Sequence, residues 1–364
     1  MTSLASRAPR PTLALVGATG AVGRVTQQVL AMRADIWGEI RAAAASEDAG
    51  TVLTVCGREV VVQELTPEFF DGVDIALVDL PSPVAAHWAP IAAARGTVVI
   101  DNSSALRGDP DIPLVVPEVN PHQVRNRPKG ILANPGATTL TIIDALGVLH
   151  AGWELTELVV ATYQAASGAG RAGMARLHDE IEVVAGHREL GHAPGDVRRL
   201  IEFELGTDSP FPAPLAMNVL PWIGTAAEDG WTSEELKIRN ETRKVLGLPD
   251  LRVSATCVRV PVISTHSVAV HATFARPIDV DEARQALVEA PAVVVLDDPE
   301  TFEFPTPNDT VGSDPRFAGR LRQALDFPNT LDFFICGDNL RKGGALNMVQ
   351  VAELVAKDLA VAAV

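Results

Sequence analysis

The chain opens on a short β-branched and aliphatic run at residues 12–16, broken by Gly17-Ala-Thr-Gly20-Ala-Val-Gly23. From residue 21 to 32, apolar side chains recur at Val22, Val25, Val29 and Leu30, the spacing of one helix face. Strand, glycine turn and helix in that order restrict the start of the chain to a parallel α/β layout. Glycines at this spacing let backbone approach a pyrophosphate at the positive end of a helix. The same spacing also serves a tight turn with no ligand. Apolar runs at 75–77 and 97–100 flank a helix-like stretch at 84–95, as in a parallel sheet covered by helices.

At 364 residues the chain exceeds the usual size of one hydrophobic core, so two domains are expected. After Asn134-Pro135-Gly136 the pattern changes. A helix is expected at 138–150, a long strand at 155–163 and a charged helix at 172–185, and residues 252–258 and 267–274 alternate like antiparallel strands. A last helix, 344–359, carries a broad apolar stripe through Leu346, Val349, Val351, Leu354 and Val355 and is expected to rejoin the first domain.

Thirty Lys and Arg against 46 Asp and Glu give a net charge of −16, which argues against nucleic acid and anionic membrane surfaces as partners. Cys56, Cys257 and Cys336 are too scattered for a disulfide framework or a CxxC pair, which points to a reduced, cytoplasmic setting. No metal site is expected. The longest uncharged stretch, 209–227, is broken by Pro210, Pro212, Pro214 and Pro221 and cannot span a membrane as one helix. Residues 1–10 read as a loose terminus without a signal-peptide core.

Several further motifs follow the glycine turn in order: Asp101-Asn-Ser-Ser-Ala105, Val116-Pro-Glu-Val-Asn120, Tyr163-Gln-Ala-Ala-Ser-Gly-Ala-Gly170, Arg259-Val-Pro-Val262, His266-Ser267 and Asp338-Asn-Leu-Arg-Lys-Gly343. With the turn, they make the chain resemble the aspartate-semialdehyde dehydrogenase family over nearly its whole length. The resemblance implies a Rossmann-type dinucleotide-binding domain of residues 1–134 and 338–364, and an α+β catalytic and dimerisation domain of residues 135–337. It also implies the family's reaction, reduction of aspartyl phosphate by NADPH through a cysteine thioester. Cofactor contacts are implied at Gly17, Thr19, Gly20, Val22, Gly23, Ser167, Gly168 and Asn339.

Three elements depart from that pattern. The segment that carries the family's nucleophile reads Ala133-Asn134-Pro135-Gly136-Ala137-Thr138-Thr139, so Ala137 stands at the nucleophile position, and a methyl group forms no acyl intermediate. Thr138 is offset around the helix and unactivated. Glu47 occupies the position expected of an arginine for the 2′-phosphate of NADP, and the loop Asp79-Leu80-Pro81-Ser82-Pro83 replaces a small glycine-rich one. The expectation is therefore no cofactor or weak NAD, with NADP disfavoured. Changes at three separate redox elements suggest a diverged paralogue.

At the substrate end the resemblance is fuller. It implies substrate contacts at Arg107, Asn134, Glu234, Lys237 and Arg259: Arg107 and Lys237 for a phosphate, Arg259 for an α-carboxylate and Glu234 for an amino group. Gln164 positions the substrate and His266 is the acid/base. Each has an ordinary explanation too: Glu234 and Lys237 lie three apart on a helix and make a surface pair, Arg259 is an edge-strand cation, His266 is structural. Thr265 stands where the family has glycine, which leaves the orientation of the His266 ring open.

The expected function is a homodimeric, non-redox enzyme acting on an aspartate-like or succinyl-type carboxylate, with His266 moving the proton. Two alternatives stand beside it: a true aspartate-semialdehyde dehydrogenase carrying a Cys-to-Ala change, and a non-catalytic regulatory subunit.

Overall fold

The computed structural model describes residues 10–362, so the expected loose terminus lies largely outside the described residues. The chain divides into two compact units, one ending at Pro135 and resumed from Gly344, the other Gly136–Gly343.

In the first unit, β1 (Leu13–Val16) runs through the glycine turn into α1 (Ala21–Met32), followed by β2 (Ile40–Ala44), β3 (Val52–Val55), β4 (Arg58–Glu64) and β5 (Ile75–Val78). Then come α2 (Ser82–Ala94), β6 (Val98–Asp101) and β7 (Ile131–Ala133). The seven-stranded sheet has the order β3-β4-β2-β1-β5-β6-β7, parallel except for the β3–β4 hairpin. All four residues of β1, and all four of β5 and β6, are buried, as a sheet covered on both faces requires. Strand order reverses direction between β1 and β5, which opens a crevice at their carboxyl ends. The final helix, Asn347–Ala362, returns to this unit and sets Met348, Val349, Val351, Ala352 and Val355 into its core.

The second unit begins with α3 (Ala137–Trp153), β8 (Leu155–Gln164), α4 (Gly170–Val184), α5 (Asp196–Leu205) and α6 (Ser233–Leu246). It continues with β9 (Arg252–Arg259), β10 (His266–Phe274), α7 (Val280–Glu289), β11 (Val293–Val295), α8 (Pro307–Thr310), β12 (Arg316–Gln323) and β13 (Thr330–Gly337), which makes the returning helix α9. The six-stranded sheet has the order β11-β12-β13-β10-β8-β9. Its inner face packs on α3, α6 and α7 through Ile142, Leu146, Leu158, Val268, Val270 and Leu287.

Two expectations need correction here. β10 is antiparallel to both neighbours, but β9 pairs with β8 in parallel. Alternation of apolar residues reports half-burial, not direction; direction follows from the long crossover through α4, α5 and α6. Residues 338–343 pack with the second unit, not the first, because Asn339 bonds Ser167 and Thr265 and Gly343 lies against Ala137.

Candidate functional site

In the first unit, Gly17 adopts φ +86°, and a Cβ there would fall 2.0 Å from the carbonyl oxygen of Asp79. A Cβ on Gly23 would fall 2.4 Å from the carbonyl of Gly17, so both glycines are required by backbone packing. Helix α1 starts after Gly20 with no side-chain cap and no acidic residue in its first turn, which leaves its leading N–H groups for an anion. This turn fits a dinucleotide pyrophosphate. Thr19 donates to Asp48 at 2.6 Å, and Val22 packs beside Gly344.

A chain of amides runs from this crevice. Asn102 Nδ2 donates to Asp79 Oδ1 at 2.8 Å, Asn134 Nδ2 to Asn102 Oδ1 at 2.8 Å, and Asn347 Nδ2 to Asn134 Oδ1 at 2.6 Å. Asn134 is 1% exposed and both ends of its amide are engaged within this chain of amides. Arg107 is half-buried and donates to the carbonyl of Asn102 at 2.6 Å.

In the second unit, sheet register assembles the other candidates. Gln164 ends β8 opposite Arg259, which ends β9, and His266 opens β10 beside Ser267, the partner of Tyr163. Three residues far apart in sequence thus meet at one end of three adjacent strands. The Arg259 backbone is bridged to Leu220 on its outer side, so it is no edge cation. Its Nη1 donates to the carbonyl of Ala165 at 2.6 Å, and no carboxylate among the described residues stands within ion-pair distance of it. A Cβ on Gly168 would fall 2.5 Å from Arg259 Nη1 and 3.4 Å from His266 Cε1, so only glycine lets these two groups pack against the backbone there.

Helix α6 is started by a reciprocal cap: Thr232 Oγ1 accepts from Glu235 N–H and Glu235 accepts from Thr232 N–H at 2.8 Å. This fixes Glu234 in the first turn, where Oε1 accepts from Thr138 at 3.0 Å and from Gln164 at 3.4 Å, and Oε2 pairs with Lys237 at 2.6 Å. Burial works to raise the Glu234 pKa, but the Lys237 ammonium and these hydrogen bonds outweigh it and hold it at about 2. Lys237 is thereby neutralised by Glu234, and the Thr138 hydroxyl is spent as a donor.

His266 is 2% exposed, and its Nδ1 accepts from the backbone N–H of Ala165 at 3.1 Å. The neutral ring therefore carries its hydrogen on Nε2. Burial, with the Arg259 charge beside it, drives its pKa down to about 3. In this state the acceptor nitrogen of His266 is engaged by Ala165, and Nε2–H is what the ring offers. Thr265 holds φ +80° and is fully buried, while its N–H donates to Asn339 Oδ1 at 2.9 Å. Ser167 donates to the same oxygen at 3.0 Å, so Ser167 and Asn339 hold each other.

Ala137 is the first residue of α3, with Gly343 so close that a Cβ on that glycine would fall 2.8 Å from the Ala137 methyl. Glu241 on α6, absent from the sequence reading, accepts from Gly136 N–H at 2.7 Å and from Thr139 at 2.8 Å and anchors this helix start. Burial pushes the Cys257 thiol up to about 12 and that of Cys336 to about 11, and Cys56 is also raised.

Comparison with known proteins agrees along the whole chain. Residues 12–127 match the profile of the semialdehyde dehydrogenase NAD binding domain, and residues 146–342 that of the semialdehyde dehydrogenase dimerisation domain. An aspartate-semialdehyde dehydrogenase from Streptomyces akiyoshiensis is 44% identical over 351 residues, covering 95% of this chain and 98% of the relative. The crystal structure of aspartate semialdehyde dehydrogenase II from Vibrio cholerae, complexed with ASA, superposes with a TM-score of 0.88 at 34% identity, over 96% of this chain and 99% of that one. The enzyme from Candida albicans, solved with NADP, shares the fold at a TM-score of 0.72 and 23% identity over 96% of this chain and 99% of that one.

These findings overturn the expectation of no cofactor or weak NAD with NADP disfavoured, because residues 12–127 are those of an NAD binding domain. The physical reason is local. Glu47 is an exposed residue of a short turn, and the loop from Asp79 leaves the glycine turn and the open first turn of α1 intact.

Proposed function

This chain belongs to the aspartate-semialdehyde dehydrogenase family, and on that premise we propose that it binds a small aspartate-like or succinyl-type carboxylate and acts at a carbonyl carbon without an enzyme-bound acyl group. The observation that carries this reading is the buried Arg259 guanidinium, packed against Gly168 beside His266, with no carboxylate within ion-pair distance among the described residues. A buried cation in that state favours an anionic ligand held by charge-assisted hydrogen bonds.

His266 stands beside it with Nε2–H available, and supports a negative charge that develops on a carbonyl oxygen. Gln164 and Glu234 are fixed against one another at the same end of the sheet and orient the ligand. Gly17, Gly20 and Gly23, with the open start of α1, would hold the pyrophosphate of a dinucleotide, which would supply hydride chemistry when bound. Elimination or condensation driven by a proton-accepting His266 is not favoured, since Nδ1 is occupied by Ala165.

The test is Ala137→Cys. The unmodified chain should show no phosphate-dependent oxidation of L-aspartate semialdehyde, and the variant should gain it by roughly 10³-fold or more, the scale on which a covalent nucleophile acts. Turnover by the unmodified chain at the variant's rate would refute the loss of acyl chemistry. A folded variant without activity would show that the pocket no longer takes the family's substrate.

We further propose a cytoplasmic homodimer. Its support is the dimerisation-domain match and the outer sheet face, where Val159 and Tyr163 are exposed. Among the described residues no helix is long and apolar enough to cross a membrane. Light scattering at micromolar concentration tests the dimer.

A further inference from the structure

Asp79 directly follows β5, at the crevice between β1 and β5 where the strand order reverses. Its two carboxyl oxygens are not equivalent. Oδ1 accepts from Asn102 and so terminates the amide chain through Asn134 and Asn347. Oδ2 takes no hydrogen bond among the described residues and lies 3.7 Å from where a Cβ on Gly20 would sit, beside the uncapped start of α1. Asn102 Nδ2, which holds Oδ1, also lies with Val22 against Gly344. An oxygen with no donor therefore faces the seat that the glycine turn offers to a pyrophosphate.

We propose that Asp79 holds the dinucleotide pyrophosphate as a neutral acid, donating an Oδ2 proton to a phosphate oxygen, so that one proton is taken up from solvent when the dinucleotide binds. Two anions cannot share that seat without repulsion, whereas a carboxylic acid turns the contact into a charge-assisted hydrogen bond. Oδ1 stays the acceptor for Asn102, so the proton has one place to go.

The surroundings favour that state. Burial raises the Asp79 pKa, opposed by the Asn102 hydrogen bond and aided by the charge of Asp101 at the end of β6. Arg107 faces Asp101. Beside the turn, Asp48 is bonded to Thr19 and Arg24 to the Thr19 carbonyl. On α2, His87 is exposed, and on α9 Glu353 pairs with Arg33, Asp358 with Arg127, and Lys357 is exposed. Among the described residues no cation pairs with Asp79.

The inference rests on dinucleotide binding by the first unit, and the experiment separates the two. Binding of NAD and of NADP to the full chain is measured by titration calorimetry from pH 5 to 8, in buffers of different ionisation heat, for the unmodified chain and Asp79→Asn. The unmodified chain should lose affinity by up to about tenfold per pH unit in the upper part of the range and take up close to one proton. Asp79→Asn should bind with a flat pH profile and no uptake for NAD; for NADP it should retain only what the 2′-phosphate titrates.

An infrared difference spectrum on NAD binding should also show a protonated-carboxyl stretch, which keeps the test decisive if Asp79→Asn does not fold. Binding without proton uptake, or uptake that persists in Asp79→Asn, overturns the role of Asp79 and leaves dinucleotide binding standing. No binding of either dinucleotide at any pH overturns both.

Discussion

Thr265→Gly should make the protein more stable. A β-branched residue at φ +80° is a backbone outlier whose strain is worth about 1–3 kcal/mol. The Thr265 hydroxyl is buried with no hydrogen-bond partner, a further cost of about 1–3 kcal/mol. Against this, glycine gives the unfolded chain extra freedom worth about 0.5–1 kcal/mol, and loss of the buried methyl removes about 1 kcal/mol. The N–H donation to Asn339 survives, so these ranges leave roughly 0–4.5 kcal/mol, centred on a net gain of about 2 kcal/mol.

Urea unfolding followed by tryptophan fluorescence reads it, since Trp153, Trp222 and Trp231 all lie in the second unit. With a slope of about 3 kcal/mol per molar urea, the midpoint should rise by about 0.3–1 M at unchanged slope. Thr265→Ala drops the hydroxyl but keeps a Cβ at the strained angle, and should fall between the two. A Thr265→Gly midpoint at or below that of the unmodified chain would refute the strain argument.

His266 binds protons less readily folded than unfolded, because its pKa falls from the ordinary 6.5 to about 3. Its contribution to stability is therefore full above pH 6.5 and lost as pH falls from there toward 3; His266→Gln should reduce the loss of urea midpoint between pH 7 and 4.5, and an unchanged loss would contradict the buried neutral ring. Arg316 and Asp144 form a fully buried ion pair, so Arg316→Met should cost about 3–5 kcal/mol by stranding the carboxylate, and Arg316→Met with Asp144→Leu should recover most of it. Equal unfolding midpoints for the single and double variants would count against that pairing.

Much of the architecture is written locally. The glycine turn, α3, β8 and β10 follow from apolar spacing and from glycines that only certain backbone angles require. The reciprocal cap of α6 is visible as Thr232 followed three residues later by Glu235. What periodicity does not carry is direction and register, so β9 was expected antiparallel and the meeting of Gln164, Arg259 and His266 rested on motif alone. The ring state of His266 depends on a backbone N–H at Ala165, 101 residues away in sequence. Asp79 was read for the bulk of its loop, while its carboxyl matters through Asn102, and Glu241 reaches the start of α3 from another helix.

The discontinuous first unit also sets an order of events during synthesis. Its core needs Leu346, Met348, Val349, Val351, Ala352 and Val355, yet more than two hundred residues of the second unit emerge from the ribosome before them. At a translation rate of about 5–20 residues per second, that interval lasts roughly 10–40 s. For that time the nascent first unit exposes the apolar ground that α9 will cover, and a chain released before residue 344 exposes it permanently. Premature termination in the second unit should thus yield a product prone to aggregation, even where every strand of the first unit is present.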